Sequence, residues 1–512
     1  MTPSQILILV CIIAYLTAMV LIGVYFNRKG SGNSSHDFFI GGRSLGPVVT
    51  AMSAEASDMS SYLLMGLPGL AYIAGLAEVS WTVIGLAIGT YLNFLFTAKM
   101  LRRYSARLNA FTIPAYFSAR YKDNKHILSL IAALIIIIFF VPYTASGFKA
   151  VGTLFNTLFG MEYHTAMIIG AIIIVAYTTL GGFQAVSTTD LVQSIFMTVS
   201  LIVIVFFGIN QAGGIDTVMS NASALPGYLD VTKGYNWAEN TAGSFGMFSI
   251  VSTLAWGLGY FGMPHILLRF MAIRDENELK ISRRIAGVWV VLSMSIAVFI
   301  GVIGYSVSAA GKIPFLETSS DSETIIIQLA TIMSQHNVIL GIFAGVIMAG
   351  ILAATMSTAD SQLLAASSSI SEDLLVSFMG MKLDNKTTMR IARGTVLAIS
   401  LIAIFLAWDP NSSVFRVVSF AWAGFGGAFG PTMLLSLFWK RSNKQGAIAG
   451  MAAGGIMIFV WKFGIATLGG VLAVYELLPA FITGLIVNVI VSLATAEPDA
   501  EIQQIYDEVH KR

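Results

Sequence analysis

The stretch Met52–Gly66 reads MSAEASDMSSYLLMG. It places two carboxylates, Glu55 and Asp58, and four serines, Ser53, Ser57, Ser60 and Ser61, inside an otherwise apolar chain. The apolar run Ser44–Met52 leads into it and Leu63–Ala74 follows it. An ionised carboxylate near the centre of a bilayer costs several kcal/mol and is kept there by function. Small residues let the backbone leave helical geometry, which frees carbonyls to act as ligands. Such carbonyls are tolerated at that depth only when buried in protein or lining a cavity. The stretch is therefore read as the break in an interrupted transmembrane helix, at a site for a cation and a substrate. The other reading is a polar helix face packed against neighbouring helices, which needs no ligand.

The rest of the chain supplies the bilayer context. Of its 512 residues, 56% are hydrophobic and only 11% charged, with a mean hydropathy of +0.79. A soluble domain carries about 25% charged residues. The chain is accordingly expected to be an all-α polytopic membrane protein in a lipid bilayer. No alternating ten-residue pattern supports a β-barrel. The net charge of +2 forms no patch for nucleic acid, and the single cysteine, Cys11, rules out a disulfide framework. The first residues, MTPSQ, lack a basic n-region, so the first apolar run is expected to stay as a helix. There is no P-loop, nucleotide fingerprint, HExxH or paired-cysteine metal motif. An ATP-driven pump is thus unsupported, an enzyme is not expected, and energy would come from an ion gradient. Nothing points to an obligatory protein partner.

Thirteen candidate spans follow from runs of about 20 apolar residues. They are about 5–27, 45–73, 77–100, 125–158, 163–180, 184–212, 244–265, 284–309, 334–370, 389–408, 414–439, 445–467 and 472–495. Loop charge sets their orientation. Cations follow the odd-numbered spans: Arg28, Lys29 and Arg43; Lys99, Arg102, Arg103, Arg107, Arg120, Lys122 and Lys125; Arg269, Arg274, Lys280, Arg283 and Arg284. Lys382, Lys386, Arg390, Arg393, Lys440, Arg441, Lys444, Lys511 and Arg512 continue the series, whereas the opposite loops carry only Lys233 and Lys312. This places the N-terminus outside and the C-terminus in the cytoplasm of a multi-pass protein of the cytoplasmic membrane. The long outside loops, about 213–243 and 310–333, are expected to be solvated, with room for short amphipathic helices, and the charged tail Glu497–Arg512 to be a short or frayed helix.

Span seven repeats the theme of span two. It reads STLAWGLGYFGMPH, with Gly257, Gly259, Gly262 and Pro264 interrupting an apolar run. The two segments lie five spans apart, so they cross in opposite directions. Interrupted helices at corresponding places of two inverted halves point to a transporter site. Glycine by itself equally serves close helix packing.

Span nine contains LAATMSTADSQ. Ala354 and Thr358 lie about 40° apart on its helical wheel and Ser357 about 60° to the other side, so one carbonyl and two hydroxyls can face one point. Hard oxygens without a Cys or His cluster suit an alkali cation. The competing reading is hydroxyls bonding back to the preceding turn. Asp360 lies about 120° from Ala354 and is read as cavity-lining, not as a ligand. Asp190, at the start of span six, lines an exit path or complements the helix dipole. Trp256 and Tyr260 share a face of span seven. With Tyr143 beside Pro142, and Tyr62 four residues after Asp58, they could wall a pocket for a small amphipathic solute, with Trp422 and Phe425 capping it from outside. Each aromatic by itself also reads as packing.

The stretches DFFIGGRSLGPVVTAMSA, ASDMSSYLLMGLPG, YTASGFKAVGTLF, LGGFQAVSTTD, WGLGYFGMPHILLRFMA, LAATMSTADSQLL and AWAGFGGAFGP run from residue 37 to about residue 431. Through them the sequence resembles the sodium/solute symporter family, within it the bacterial sodium/proline symporters. The resemblance implies a thirteen-helix inverted-repeat fold with five-plus-five core helices, repeat one at about 45–212 and repeat two at about 244–439. It implies sodium at the carbonyls of Ala56, Met59 and Ala354 and the hydroxyls of Ser357 and Thr358. Asp58 matches a sodium-critical carboxylate, and Ser57 and Ser60 match serines tied to sodium and proline affinity. Tyr143, Trp256, Tyr260 and Pro264 match positions of a proline pocket, and Asp190 a carboxylate on the inward sodium path. Two residues depart from the pattern. Tyr62, in the same pocket, stands where tryptophan is expected, and Glu55 where a small residue is expected.

The expected function is secondary active import of L-proline with co-transported sodium. The alternative within transporters is another small solute: an amino acid, a carboxylate or a sugar. A channel would carry a continuous polar lining and a sensor an output domain; the sequence has neither pattern.

Overall fold

The computed structural model of the chain describes residues 1–28, 39–179 and 182–511. Lys29 and Arg512 of the loop charges, and positions 37–38 and 180–181 of two family stretches, lie outside the described residues. Among the described residues ten helices are long and apolar enough to cross a bilayer. They coincide with expected spans one, three, four, six and eight to thirteen. The remaining three expected spans are shorter apolar helices: Tyr163–Thr178, and two segments that are each interrupted.

The first interrupted segment is Pro47–Asp58 followed by Leu67–Ala74. Its helix stops at Met59, where φ is −76° and ψ 73°. The chain makes a tight turn, with the Ser60 N–H donating to Asp58 O at 2.8 Å. It restarts as a wide π-type turn, Tyr62–Gly66. Serine side chains offer the backbone local alternatives to the helical ladder, and here the Ser60 hydroxyl accepts from the Tyr62 N–H at 3.4 Å. The second segment is Met247–Leu254, a 3₁₀ stretch Ala255–Phe261, and Pro264–Ala272. Met263 is extended at φ −77° and ψ 108°. Pro264 then opens the new helix at its first turn, where its missing N–H costs nothing.

Glycine allows the breaks to pack. A Cβ on Gly257 would run into the Gly85 carbonyl, and one on Gly89 into Gly257. The helix Leu76–Leu92 thus lies backbone against backbone on the 3₁₀ stretch. At one end the two interrupted segments are pinned together. Leu45 N–H donates to Ala272 O at 3.2 Å and Arg274 N–H to Leu45 O at 3.0 Å. Arg43 donates to Met271 O at 2.6 Å and Ala110 O at 2.6 Å.

That end carries the basic loops. The tail forms a helix, Ala500–His510, that lies on this face. Its acidic side chains meet the loop cations: Asp507 with Lys440 at 2.7 Å, Glu508 with Arg107 at 3.0 Å, and Glu501 with Lys122. A short helix, Ile113–Arg120, also sits here, capped by Thr112, and was not expected from hydropathy.

Several expectations need correction. The fold is predominantly helical as expected, but loop 213–243 holds, besides the short helix Ile215–Ser223, an antiparallel hairpin, Lys233–Asn236 with Thr241–Ser244. Arg269 is not a loop cation; it is 1% exposed inside the helix Pro264–Ala272. Arg120 is likewise buried, under the rings of Tyr104 and Tyr121. Toward the face opposite the basic loops, Lys149 holds Pro410 O, Ser412 O and the Ser320 hydroxyl. Glu323 accepts from the N–H groups of Val414 and Phe415 and from Ser413, at the start of the helix Val414–Phe438. A carboxylate at a helix N-terminus is favoured by the dipole.

Gly89→Ala should destabilise the fold by about 1–3 kcal/mol through overpacking. Gly394, inside the helix Asn385–Leu406, has open space where a Cβ would go. Gly394→Ala should be neutral or slightly stabilising. Thermal unfolding of the two variants in detergent checks the contrast.

Candidate functional site

The two breaks and the helix Val338–Ser368 meet in the interior. Ala56, Ala354 and Ser357 are wholly buried and Thr358 is 2% exposed. Ser357 Oγ donates to Ala56 O at 2.7 Å and lies 3.2 Å from Ala354 O. Thr358 Oγ1 lies 3.3 Å from Ala354 O. Ser357 thus links carbonyls of the two helices, and the Ser357 and Thr358 hydroxyls both lie against the carbonyl of the preceding turn, Ala354 O. Met59 sits at the helix end beside this point, and its sulfur accepts from Ser293 at 3.5 Å.

Asp58 is also wholly buried. Tyr260, from the second break, donates its hydroxyl to Asp58 Oδ2 at 2.5 Å. Tyr143 donates to Asp58 O at 3.2 Å. Asp58 Oδ1, Tyr62 Oη and both oxygens of Glu55 have no hydrogen-bond partner among the described residues. Tyr62, Tyr143 and Tyr260 are each 1% exposed. They form one enclosed cluster, with Ser60 beside the Tyr143 hydroxyl.

Trp256 belongs to a layer above this cluster. Its carbonyl accepts from Trp422 Nε1 at 2.7 Å, and the Trp422 ring meets the Tyr260 ring edge-on at 5.0 Å. The Trp256 ring stacks on Tyr475 at 5.2 Å and leans on Phe415. Trp256 forms the floor of a cavity of about 820 Å³ that is lined by Gly66, Pro142, Glu323, Phe415 and Tyr475. Glu323 and Lys149 place this cavity on the face opposite the basic loops. Of the aromatics expected to cap the pocket, Trp422 lies in this layer. Phe425, further along the helix Val414–Phe438, packs on Phe140 at 4.5 Å.

Ser57 and Asp190 fall into a second polar cluster toward the basic face, away from the Ala56–Ala354 point. Asp190 Oδ2 accepts from Ser53 at 2.6 Å, Ser57 at 3.2 Å and Arg269 at 3.2 Å. Arg269 also donates to Ser53, to Ser361 at 2.5 Å and to His265 O at 2.7 Å. Asp360 joins through Ser361 at 3.5 Å. This knot ties the first break, the second break, the helix Phe183–Gln211 and the helix Val338–Ser368. Arg269, Ser53 and Ser361 were missed as site residues. The signal was present in HILLRFMA, an arginine inside an apolar run, which a loop-charge count absorbs. Pro264 opens the helix that carries Arg269.

The fold as a whole matches solved transporters. It aligns with a Na⁺-coupled sialic acid symporter over 96% of this chain and 99% of that one, at a TM-score of 0.77 and 19% identity. It also aligns with Mhp1, a nucleobase-cation-symport-1 family transporter, over 93% and 99%, at a TM-score of 0.53 and 14% identity. In sequence the chain is 42% identical to the high-affinity proline transporter PutP of Bacillus subtilis over 494 residues, covering 96% of this chain and 98% of that protein. It is 40% identical to the sodium/proline symporter of Escherichia coli over 509 residues, covering 98% and 95%. The model of the sodium:solute symporter family matches residues 38–454. With that match across most of its length and these full-length relatives, the chain belongs to the sodium:solute symporter family.

Proposed function

We propose that this protein is a sodium-coupled symporter that imports L-proline across the cytoplasmic membrane by alternating access. The observation that carries the reading is the convergence of Ala56 O, Ala354 O, Ser357 Oγ and Thr358 Oγ1 beside the buried Asp58. That set is chemically a site for a hard monovalent cation. The names of the full-length relatives supply sodium and proline as cargo. The architecture that goes with this reading has thirteen spans, with inverted repeats at about 45–212 and 244–439. The N-terminus is outside and the C-terminus, on the basic face, is cytoplasmic.

In this orientation the open cavity faces outside and the Arg269–Asp190 knot closes the inside. Sodium takes Ala56, Met59, Ala354, Ser357 and Thr358, and so joins the first break to the helix Val338–Ser368. Asp58 supplies the balancing charge. Proline enters over Trp256 and is held among Tyr62, Ser60, Tyr143, Trp256, Tyr260 and Pro264. Sodium favours the geometry in which these walls are assembled, and coupling is that difference in affinity between states. Inward release requires the knot to part. Asp190, freed from Arg269, then offers a carboxylate to the departing ion, with Ser57 beside it.

Asp58→Asn removes the formal charge near the cation and should abolish sodium-driven proline uptake in proteoliposomes while the protein still folds. Sodium-dependent uptake at the normal rate in that variant would reject the site; a panel of amino acids, carboxylates and sugars in the same assay checks the cargo.

Thr358→Ala and Ser357→Ala each remove one oxygen and should raise the sodium concentration for half-maximal uptake by about two- to tenfold, the worth of one modest polar interaction. Thr358→Ser keeps the oxygen and should be mild. Equal effects of alanine and serine at 358 would show that the hydroxyl is not a ligand.

A further inference from the structure

The tail helix Ala500–His510 meets the basic face through charge more than through apolar burial. Of its eleven residues, Ile502 and Val509 alone are buried. Asp507 pairs with Lys440 at 2.7 Å, Glu508 with Arg107 at 3.0 Å, and Glu501 with Lys122. The side chains of these three pairs are between 36% and 62% exposed, so water and salt reach all of them. Arg103 adds a bond to Val509 O at 3.3 Å, a cation at the negative end of the helix. Tyr506 donates to Phe438 O at 2.9 Å.

These contacts join two groups of helices. Arg103 and Arg107 lie on Ala98–Arg107, which continues the helix Leu76–Leu92 through the wide turn Asn93–Thr97. That helix is the one packed backbone against backbone on the second break. Arg103 also pairs with Glu276 at 2.8 Å, just past the end of the second interrupted segment. Lys122 instead precedes the helix Ile127–Phe159, and Phe438 and Lys440 stand at the end of Val414–Phe438. The tail therefore bridges from the wall of the interrupted segments to two helices outside that unit. Alternating access moves one such group against the other around a fixed site. The bridge is closed here in a conformation whose large cavity lies on the opposite face.

We propose that the tail helix is a salt-sensitive latch, which restrains opening toward the cytoplasm and lets go as electrolyte on that face rises. The inference rests on the alternating access and the cytoplasmic C-terminus proposed above. Salt screens exposed charges over a distance of about 10 Å at 0.1 M and about 3 Å at 1 M, and screens buried pairs far less. The tail pairs are exposed, whereas the Arg269–Asp190 pair is 1% and 0% exposed. Electrolyte thus acts on the latch and leaves the inner knot alone. None of the tail contacts touches the residues assigned to sodium or proline, so the latch sets the rate of opening and not the cargo.

The test varies salt on the tail's side alone. Proteoliposomes with the basic face in the lumen take up proline at fixed outside sodium, while lumenal potassium chloride rises from about 0.05 M to about 0.5 M against balancing sucrose. The initial rate should rise about two- to tenfold, the combined worth of three exposed pairs. The triple variant Glu501→Gln, Asp507→Asn, Glu508→Gln should run at the high rate already at low salt, with the salt dependence gone. Asp507→Lys combined with Lys440→Asp re-forms one pair and should restore the restraint that Lys440→Asp alone relieves. Spin labels at the exposed positions Asn124 and Gln504 should move apart as potassium chloride rises, with neither sodium nor proline present. Equal salt dependence in the wild type and the triple variant overturns the latch, as does a label distance that ignores salt. A triple variant slower than wild type at low salt also overturns it, because the tail would then aid transport. Should the triple variant fail to fold, the exchanged pair decides: no difference between it and Lys440→Asp refutes the latch. If proline is not carried at all, the functional reading fails, and the label distance still judges the latch by itself.

Discussion

The hydrogen bond from Tyr260 to Asp58 joins the two interrupted helices at their breaks. A bilayer offers no water to satisfy a bare backbone group, so a helix can be broken there only where other protein closes over the break. Each break in this chain closes over the other. Tyr260 comes from the 3₁₀ stretch of the second and reaches the last residue of the first. Tyr143 covers the Asp58 carbonyl, and Ser357 covers that of Ala56. Asn93 donates to Tyr260 O at 3.0 Å, so the phenol's own backbone is also held. The glycines at 85, 89 and 257 follow from this arrangement, because only there can a third helix approach closely enough to wall the pair.

The structure is sealed unequally on its two sides. Toward the cavity, the enclosed tyrosines lie beneath one aromatic layer, Trp256 with Trp422 and Tyr475. Toward the basic face there is a knot of two carboxylates, one guanidinium and three serines, and below it the backbone bridge at Leu45. Aromatic contacts slide at little cost, whereas a buried ion pair must be replaced by something polar when it parts. The packing on the cavity side is therefore the easier to part in this conformation. On the alternating-access reading proposed above, a cation or water would take the place of Arg269 at Asp190.

Much of this was legible in the sequence for physical reasons. Small and polar residues inside apolar runs are rare enough in a bilayer protein to mark both breaks, and the angular spacing of Ala354, Ser357 and Thr358 holds because that helix is regular there. What was not legible depended on which helix lies beside which. Arg269 reads as a loop cation until the helix carrying it is seen to pass beside Asp190, which is 79 residues away in the chain. Asp360 and Ser57 were placed by reference to the sodium point, yet both face the Arg269 knot. Phe425, expected to cap the pocket with Trp422, packs on Phe140, a neighbour that hydropathy does not reveal. The hairpin at 233–244 has no long apolar alternation to announce it.

The choice of serine and threonine at 357 and 358 has a further consequence for how an ion can enter a dry site. A hydroxyl is both donor and acceptor, and its hydrogen turns about a single bond. As a donor, Ser357 satisfies the Ala56 carbonyl that the break leaves uncovered, and Thr358 lies in position to do the same at Ala354. Turned away, the same oxygen presents lone pairs, and the carbonyl it covered is released beside it. On the sodium reading proposed above, one rotation would convert a self-satisfied pair into two ligands, and the reverse rotation would heal the pair when an ion leaves. An ionised carboxylate could ligate but has no hydrogen with which to cover the carbonyl. At no stage is a backbone group abandoned in the apolar interior. That is the condition the bilayer sets for any ion to pass through the middle of this fold.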